Sequence, residues 1–315
     1  MRAGWQAVNS KPISQQFIAQ MCQMAFGSAQ YKHANPLNGG RSHQNHLLTL
    51  NNGIQVVLRI GKNPANLQKQ YALSQKLWRK LPVPRFISAP QALNEQINFA
   101  FLEYKRGQRL ANIQQLPTAD QAQLAFELGE YLALIHSQTF KTAGEFDGQL
   151  KVDQTYDMSP KGVAGIFTER LSQAVGNGYI STAQCRSYII KFETKIQILN
   201  QWQHPNCLIH ADLNEDNVLH YDGHISAMLD WEFTISGHPA LDFAKFTRTP
   251  YINCPVFLEN LCDSYYLTHK SLPANWDDIA GVFDLIAWAE FLSRKNLNPD
   301  VRMSALKKLE MTLGG

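Results

Sequence analysis

The sequence has no run of about 18 or more apolar residues, so no transmembrane helix is expected and no membrane partner. Its opening, MRAGWQAVNSKP, lacks the apolar stretch of a secretory leader. It has no C-x-x-C pair. The five cysteines (Cys22, Cys185, Cys207, Cys254, Cys262) are scattered and odd in number. That pattern argues against metal spacing and points to reduced thiols in a cytoplasmic protein. Dense Lys/Arg runs are also missing. A formal net charge of +3 is too slight to argue for nucleic acid. Repeats and low-complexity tracts are absent. What remains is an ordinary globular composition, 44% apolar over 315 residues. The chain can bury a sizeable core and is long enough for two lobes.

One stretch organises the chain: LIHADLNEDNVLHYDGHISAMLDWEFTISGHPALDF, from Leu208 to Phe243. It reads as an apolar strand, a polar loop, a second strand, the turn Asp222-Gly223 and a third strand, His224–Leu229. The turn folds the third strand onto the second, so Asn217 and Asp230 should meet at the open end of a hairpin. Asp212 lies five residues before Asn217 on the same loop. Phosphoryl transfer from ATP needs alignment and charge neutralisation more than covalent help. A carboxylate must sit near the attacking hydroxyl, and oxygen ligands must hold Mg2+ against the phosphates. Asp212 suits the first task; Asn217 and Asp230 suit the second. His-x-Asp-x4-Asn, then an Asp after an apolar strand, is the kinase pattern of a catalytic loop and a metal-binding Asp.

These residues resemble the aminoglycoside phosphotransferase family of small-molecule kinases, which is related to choline kinases and protein kinases. HADLNEDNVL parallels the family's His-Gly-Asp-x4-Asn, with Ala211 in place of Gly. LDWEF and GHPALD parallel its Asp-Trp-Glu and Gly-x-Pro-x-x-Asp. The resemblance implies an α+β, protein-kinase-like bilobal fold. The small lobe, residues 1–104, would hold an antiparallel sheet and a helix and bind the nucleotide. The larger, mainly helical lobe, 105–315, would hold the catalytic and acceptor sites. It further implies ATP and Mg2+ as cofactors and a hydroxyl-bearing small molecule as acceptor. His210 and Asp242 would brace the loop.

Along the chain, Ser14–Phe26 has helical apolar spacing. Leu37–Arg41 precedes the strand His46–Leu50, the turn Asn51-Asn52-Gly53 and the strand Ile54–Ile60. Gly39 and Gly40 would let backbone N–H groups approach phosphates. Ser42 and Asn45 match the family's Ser and Asn there. Arg59 stands where the family has its phosphate-binding Lys. Asn63-Pro64 opens a helix whose inner face is Leu67, Tyr71, Ser74, Leu77, Trp78 and Leu81. Alignment on Leu81-Pro82-Val83-Pro84 puts neutral Gln70 where the family has the Glu that pairs with that Lys. Asn98–Tyr104 matches the hinge strand, with Glu103, Tyr104 and Lys105 against the adenine. Thr118–Ser137 reads as a helix opened by a Thr118–Gln121 capping box. Phe140–Pro160 reads as loop-rich. Ser181–Gln203 reads as one helix, and Val256–His269, Asp277–Arg294 and Asp300–Leu313 follow. Asp263, Asp277, Asp278, Asp284 and Glu290 could face a cationic acceptor or, for most of them, solvent.

Three readings stand at this point. The chain is an aminoglycoside phosphotransferase-like kinase; or a metabolic kinase of choline, homoserine, a sugar or a glycated amine; or a nucleotide-binding scaffold without transfer. The motif does not separate antibiotic from metabolic acceptors. The Arg59/Gln70 pair is what favours the scaffold.

Overall fold

A computed structural model describes residues 13–28, 30–37 and 43–314. The chain folds into α1 (Gln15–Phe26), β1 (Tyr31–Leu37), β2 (Gln44–Leu50), β3 (Gln55–Gly61), α2 (Pro64–Leu77), β4 (Gln91–Asn94) and β5 (Ile97–Glu103). Then come β6 (Gln108–Arg109), α3 (Thr118–His136), β7 (Ala143–Phe146), β8 (Val152–Tyr156), α4 (Pro160–Gly176) and α5 (Thr182–Lys195). They are followed by β9 (Cys207–Ile209), β10 (Val218–Tyr221), β11 (His224–Met228), β12 (Ile235–Gly237), α6 (Ala240–Phe243), α7 (Pro255–His269), α8 (Trp276–Ser293) and α9 (Pro299–Leu313). This is an α+β bilobal kinase-like fold.

The first lobe is one antiparallel sheet in the order β1-β2-β3-β5-β4. Alternation along β3 buries Val56, Leu58 and Ile60. These meet Phe99 and Phe101 of β5 and Ile18, Met21 and Cys22 of α1 in a separate small core. Ser14 caps α1 by accepting from Phe17 N, and Gly27 ends it in the left-handed region at φ 69°. Asn63 caps α2 by accepting from Asn66 N, with Pro64 at the first helical position. Leu67, Gln70, Leu73, Ser74 and Leu77 are buried on α2. Tyr71 and Trp78, expected on that face, are only partly covered. Ile54 lies outside β3 and is 55% exposed.

The second lobe is built on α3 packed against α7. Their axes approach closely because Gly129 faces the Leu261 carbonyl: a Cβ at Gly129 would come within 2.4 Å of that oxygen. The three C-terminal helices fall where the periodicity predicts them. Other expectations fail. Thr118 does not cap α3; Pro117 is the N-cap, and Gln121 turns its side chain to donate to Leu116 O at 2.9 Å. The loop-rich stretch Phe140–Pro160 also carries an unpredicted hairpin, β7-β8, joined through β12 to β9. Its strands are short and rich in Gly and polar residues, so they carry almost no alternating pattern. Ser181 and Gln184 do form a capping box, but the α-helix stops at Lys195 and continues to Gln201 as a 3-10 turn. Among the described residues no helix is long and apolar enough to cross a membrane.

Candidate active site

The apolar triplet Cys207–Ile209 is buried as β9, and the polar loop after it cannot follow it inside. Ala211 turns the chain out at φ 67°, a left-handed conformation that costs an alanine about 1–2 kcal/mol. This is why glycine is usual at that place. Asp242, fully buried on α6, takes the strain: it accepts from His210 N at 2.9 Å and Ala211 N at 2.8 Å. It also meets His136 Nε2 at 3.1 Å, and His136 Nδ1 lies 2.9 Å from the Tyr265 hydroxyl. Burial pushes the Asp242 carboxyl up, but the His136 bond and the surrounding donors override it and hold it below the usual carboxylate range. His210 completes the brace. Its Nδ1 accepts from Asp212 N at 3.3 Å, so its Nε2–H donates to Leu229 O at 2.8 Å.

Beyond the loop, Asp222 and Gly223 both have positive φ, 53° and 77°, the two-residue turn that suits a twisted hairpin. Val218 therefore pairs with Met228, and Leu229 N donates to Asn217 O at 2.7 Å. Asn217 and Asp230 end up at the same end of two adjacent strands, β10 and β11. Asn217 Nδ2 donates to the Asp212 backbone oxygen at 2.8 Å and to Asp212 Oδ2 at 3.0 Å. Those two bonds fix the orientation of the amide. Asp230 sits in the left-handed region at φ 64°, which turns the chain from β11 into the 3-10 turn Trp231–Phe233. Trp231 is buried there and donates Nε1–H to Met228 O at 2.9 Å.

Arg59 reaches this cluster from the other lobe. Its Nε donates to Asn45 Oδ1 at 3.1 Å, its Nη1 bonds Gln70 Oε1, and its Nη2 lies 3.4 Å from Asp230 Oδ1. Gln70 in turn donates to Asn66 Oδ1 at 2.7 Å. A neutral amide thus orients the Arg59 guanidinium where the family uses an ion pair. Glu103 ends β5, with Lys105 Nζ 2.9 Å from its Oε1. With Tyr104 they lead into β6, which pairs with β10 of the Asp222-Gly223 hairpin. Gly39, Gly40 and Ser42 lie outside the described residues.

Three residues near the site, Lys245, Lys69 and His43, were not read from the sequence. Lys245 Nζ lies 3.3 Å from Asp212 Oδ1, whose other neighbour is Asn214 Nδ2 at 3.0 Å. Burial lowers the Lys245 ammonium pKa, the nearby Arg248 lowers it further, and Asp212 opposes both. Its place one turn after Asp242 was the available signal. Lys69, adjacent to Gln70, is buried rather than exposed and donates to Thr234 O at 3.3 Å; burial lowers its pKa too. His43 and Glu232 are both buried, with His43 Nδ1 3.4 Å from Glu232 Oε2. Burial, with help from Arg59, pushes the His43 imidazole down to about 4. Asp284 is neither substrate-facing nor solvated. It is fully buried, bonded to Arg248 and 3.2 Å from Lys308 Nζ. Glu290 pairs with Arg170 and Arg294.

Comparison with known proteins agrees with this fold. A solved structure of a thermostable mutant of aminoglycoside phosphotransferase APH(4)-Ia, in ternary complex with AMP-PNP and hygromycin B, is similar at TM-score 0.71 and 18% identity. The match covers 94% of this chain and 98% of that one. A proposed fructosamine-3-kinase from Thermobifida fusca matches at TM-score 0.66 and 18% identity, over 95% of this chain and 99% of that one. The gentamicin complex of APH(2")-IIa matches at 0.68 and 13%, over 96% and 98%. No curated protein matches in sequence. The model of the phosphotransferase enzyme family APH matches residues 33–279, most of both lobes and the whole of the braced loop and hairpin, so the chain belongs to that family and is a small-molecule phosphotransferase.

Proposed function

We propose that the protein transfers the γ-phosphate of Mg-ATP to a hydroxyl of a small molecule. The observation that carries this is the meeting of Asp212, Asn217 and Asp230 with Arg59 of the opposite lobe. The lobe boundary is placed between residues 104 and 105, with nucleotide against the first lobe and near Glu103, Tyr104 and Lys105. Bound ATP and Mg2+ would supply the phosphoryl group and offset its charge. Asn217 and Asp230 fit the ion, since both present oxygen and the Asn217 amide is already oriented. Arg59, with Gly39, Gly40 and Ser42 of the preceding loop, would hold the phosphates. Asp212 would orient the acceptor hydroxyl and receive its proton at a carboxylate oxygen. Lys245, bonded to that carboxylate, holds it in place.

Within this chemistry a metabolic acceptor is favoured over a polycationic antibiotic. Lys245 puts a cation beside the reacting carboxylate, where a polycation would be repelled. The test is product formation from Mg-ATP across aminoglycosides, choline, homoserine and sugars, read by mass spectrometry. Asp212→Ala should lower turnover roughly 10²–10⁴-fold. Unchanged turnover in that variant would remove Asp212 from its role. Tight ATP binding with no product from any acceptor would favour a scaffold instead.

A further inference from the structure

We propose that His43, Asp230 and Glu232 form a second divalent-cation site with a nitrogen ligand, one that prefers Mn2+ or another first-row transition ion to Mg2+. The proposal deepens the kinase reading by naming the cation its cleft takes, and it rests on that reading only for the shared use of Asp230.

The three groups come from two distant segments. His43 lies just before β2; Asp230 and Glu232 flank the buried Trp231 after β11. One ligand atom from each lies within 4.8 Å of the others. Cis ligands around a six-coordinate ion stand about 3 Å apart and trans ligands about 4.3 Å. The cluster would contract from that spread on taking up an ion. His43 Nδ1 and Glu232 Oε2 are 3.4 Å apart, longer than the roughly 2.7–3.2 Å of a good N–H···O bond and within the span of two ligands on one ion.

The imidazole is also held in place. Its ring lies over Gly61 at the end of β3, where a Cβ would approach the ring Cδ2 to 2.7 Å. The His43 and Glu232 side chains are each 5% exposed, so a bound ion would be shielded from bulk water. Arg59 takes Oδ1 of Asp230 and leaves the second oxygen for a cation. Serving both this site and the one completed by Asn217 would require Arg59 to give up its 3.4 Å contact with Oδ1, as it would on turning to the phosphates. Two carboxylates and an imidazole suit Mn2+, Fe2+, Co2+ or Zn2+, whereas Mg2+ takes all-oxygen shells.

The probe is Mn2+, titrated into the full-length protein with and without AMP-PNP and followed by electron paramagnetic resonance. Pulsed spectra are compared for unlabelled and 15N-histidine protein. Two Mn2+ per chain are expected with AMP-PNP. One of them should show a histidine nitrogen coupling that changes on labelling and resists a hundredfold excess of Mg2+. His43→Gln should abolish the coupling. Glu232→Gln, which keeps the imidazole, should weaken that ion at least tenfold. Absence of histidine coupling in the wild-type protein, which needs no variant to fold, overturns the proposal. So does a coupling that persists in a folded His43→Gln protein. Failure of AMP-PNP to bind would instead count against the kinase reading, since Mn2+ alone still reports on the cluster.

Discussion

Asp242 concentrates what a single residue can do here, since three groups converge on one fully buried carboxylate. Asp242→Asn keeps the size but turns an N–H donor toward other donors. The expected loss is roughly 3–5 kcal/mol at pH 7, the scale for breaking a buried charge pair. The sign with pH follows from the depressed carboxyl pKa. The stabilisation is present above the unfolded pKa of about 3.9 and fades as pH falls through the lower folded value. Urea unfolding at pH 7 and near pH 3 should show the gap between wild type and Asp242→Asn narrowing in acid; a constant gap would mean the charge is irrelevant. Ala211 offers the opposite change. Ala211→Gly removes about 1–2 kcal/mol of left-handed strain but adds about 0.4–1 kcal/mol of unfolded-chain freedom. A small rise in Tm with turnover retained is expected, and a fall would show that the alanine methyl packs usefully. Residues of this kind were legible in part. Asp212, Asn217, Asp230, His210 and Asp242 stood in a spaced pattern, because loop chemistry fixes residue type and separation together. His43, Lys69 and Lys245 were not, because their partners lie far away in sequence and a polar residue on a helix or strand end looks the same whether solvated or buried.

At the scale of elements, most helices were legible, although α4 (Pro160–Gly176) was not read from the sequence. A long amphipathic stripe with caps announces itself, as in α5 with its Ser181–Gln184 capping box. Short strands do not: β1, β4 and the β7-β8 hairpin exist because neighbouring strands offer unpaired backbone, a tertiary cause with no local pattern. Helix pairing carries its own test. α3 and α7 approach so closely at Gly129 that an added methyl meets the Leu261 carbonyl and the Ser264 side chain, both backed by fixed structure. Gly129→Ala gains helix propensity, about 1 kcal/mol, yet should destabilise overall because overpacking costs about 1–3 kcal/mol and backbone cannot step aside. Thermal unfolding should show a lower Tm. A higher Tm would mean that the two helices slide apart without penalty.

For the whole molecule, the question is what joins the lobes across the cleft. Two cations of the first lobe do so. Arg59 reaches Asp230, and Lys69 of α2 reaches the Thr234 carbonyl, with Glu145 of β7 3.9 Å away. The Lys69 ammonium is penalised by burial, and its depressed pKa makes it a source of stability that grows only as pH rises toward the unfolded value near 10.4. At neutral pH it is a tie that costs stability rather than adding it. Lys69→Met fills the same volume without the desolvation penalty, and such replacements of buried charge are often neutral or stabilising. The expected result is therefore a split: Tm unchanged or higher, but faster amide hydrogen exchange at Trp231–Thr234 and a raised KM for ATP, since the lobes lose a fixed point beside Asp230. If Tm drops by several degrees while exchange and KM stay put, Lys69 is a stabilising core residue and the lobes are aligned by other contacts, such as Arg59 with Asp230 and His43 with Glu232.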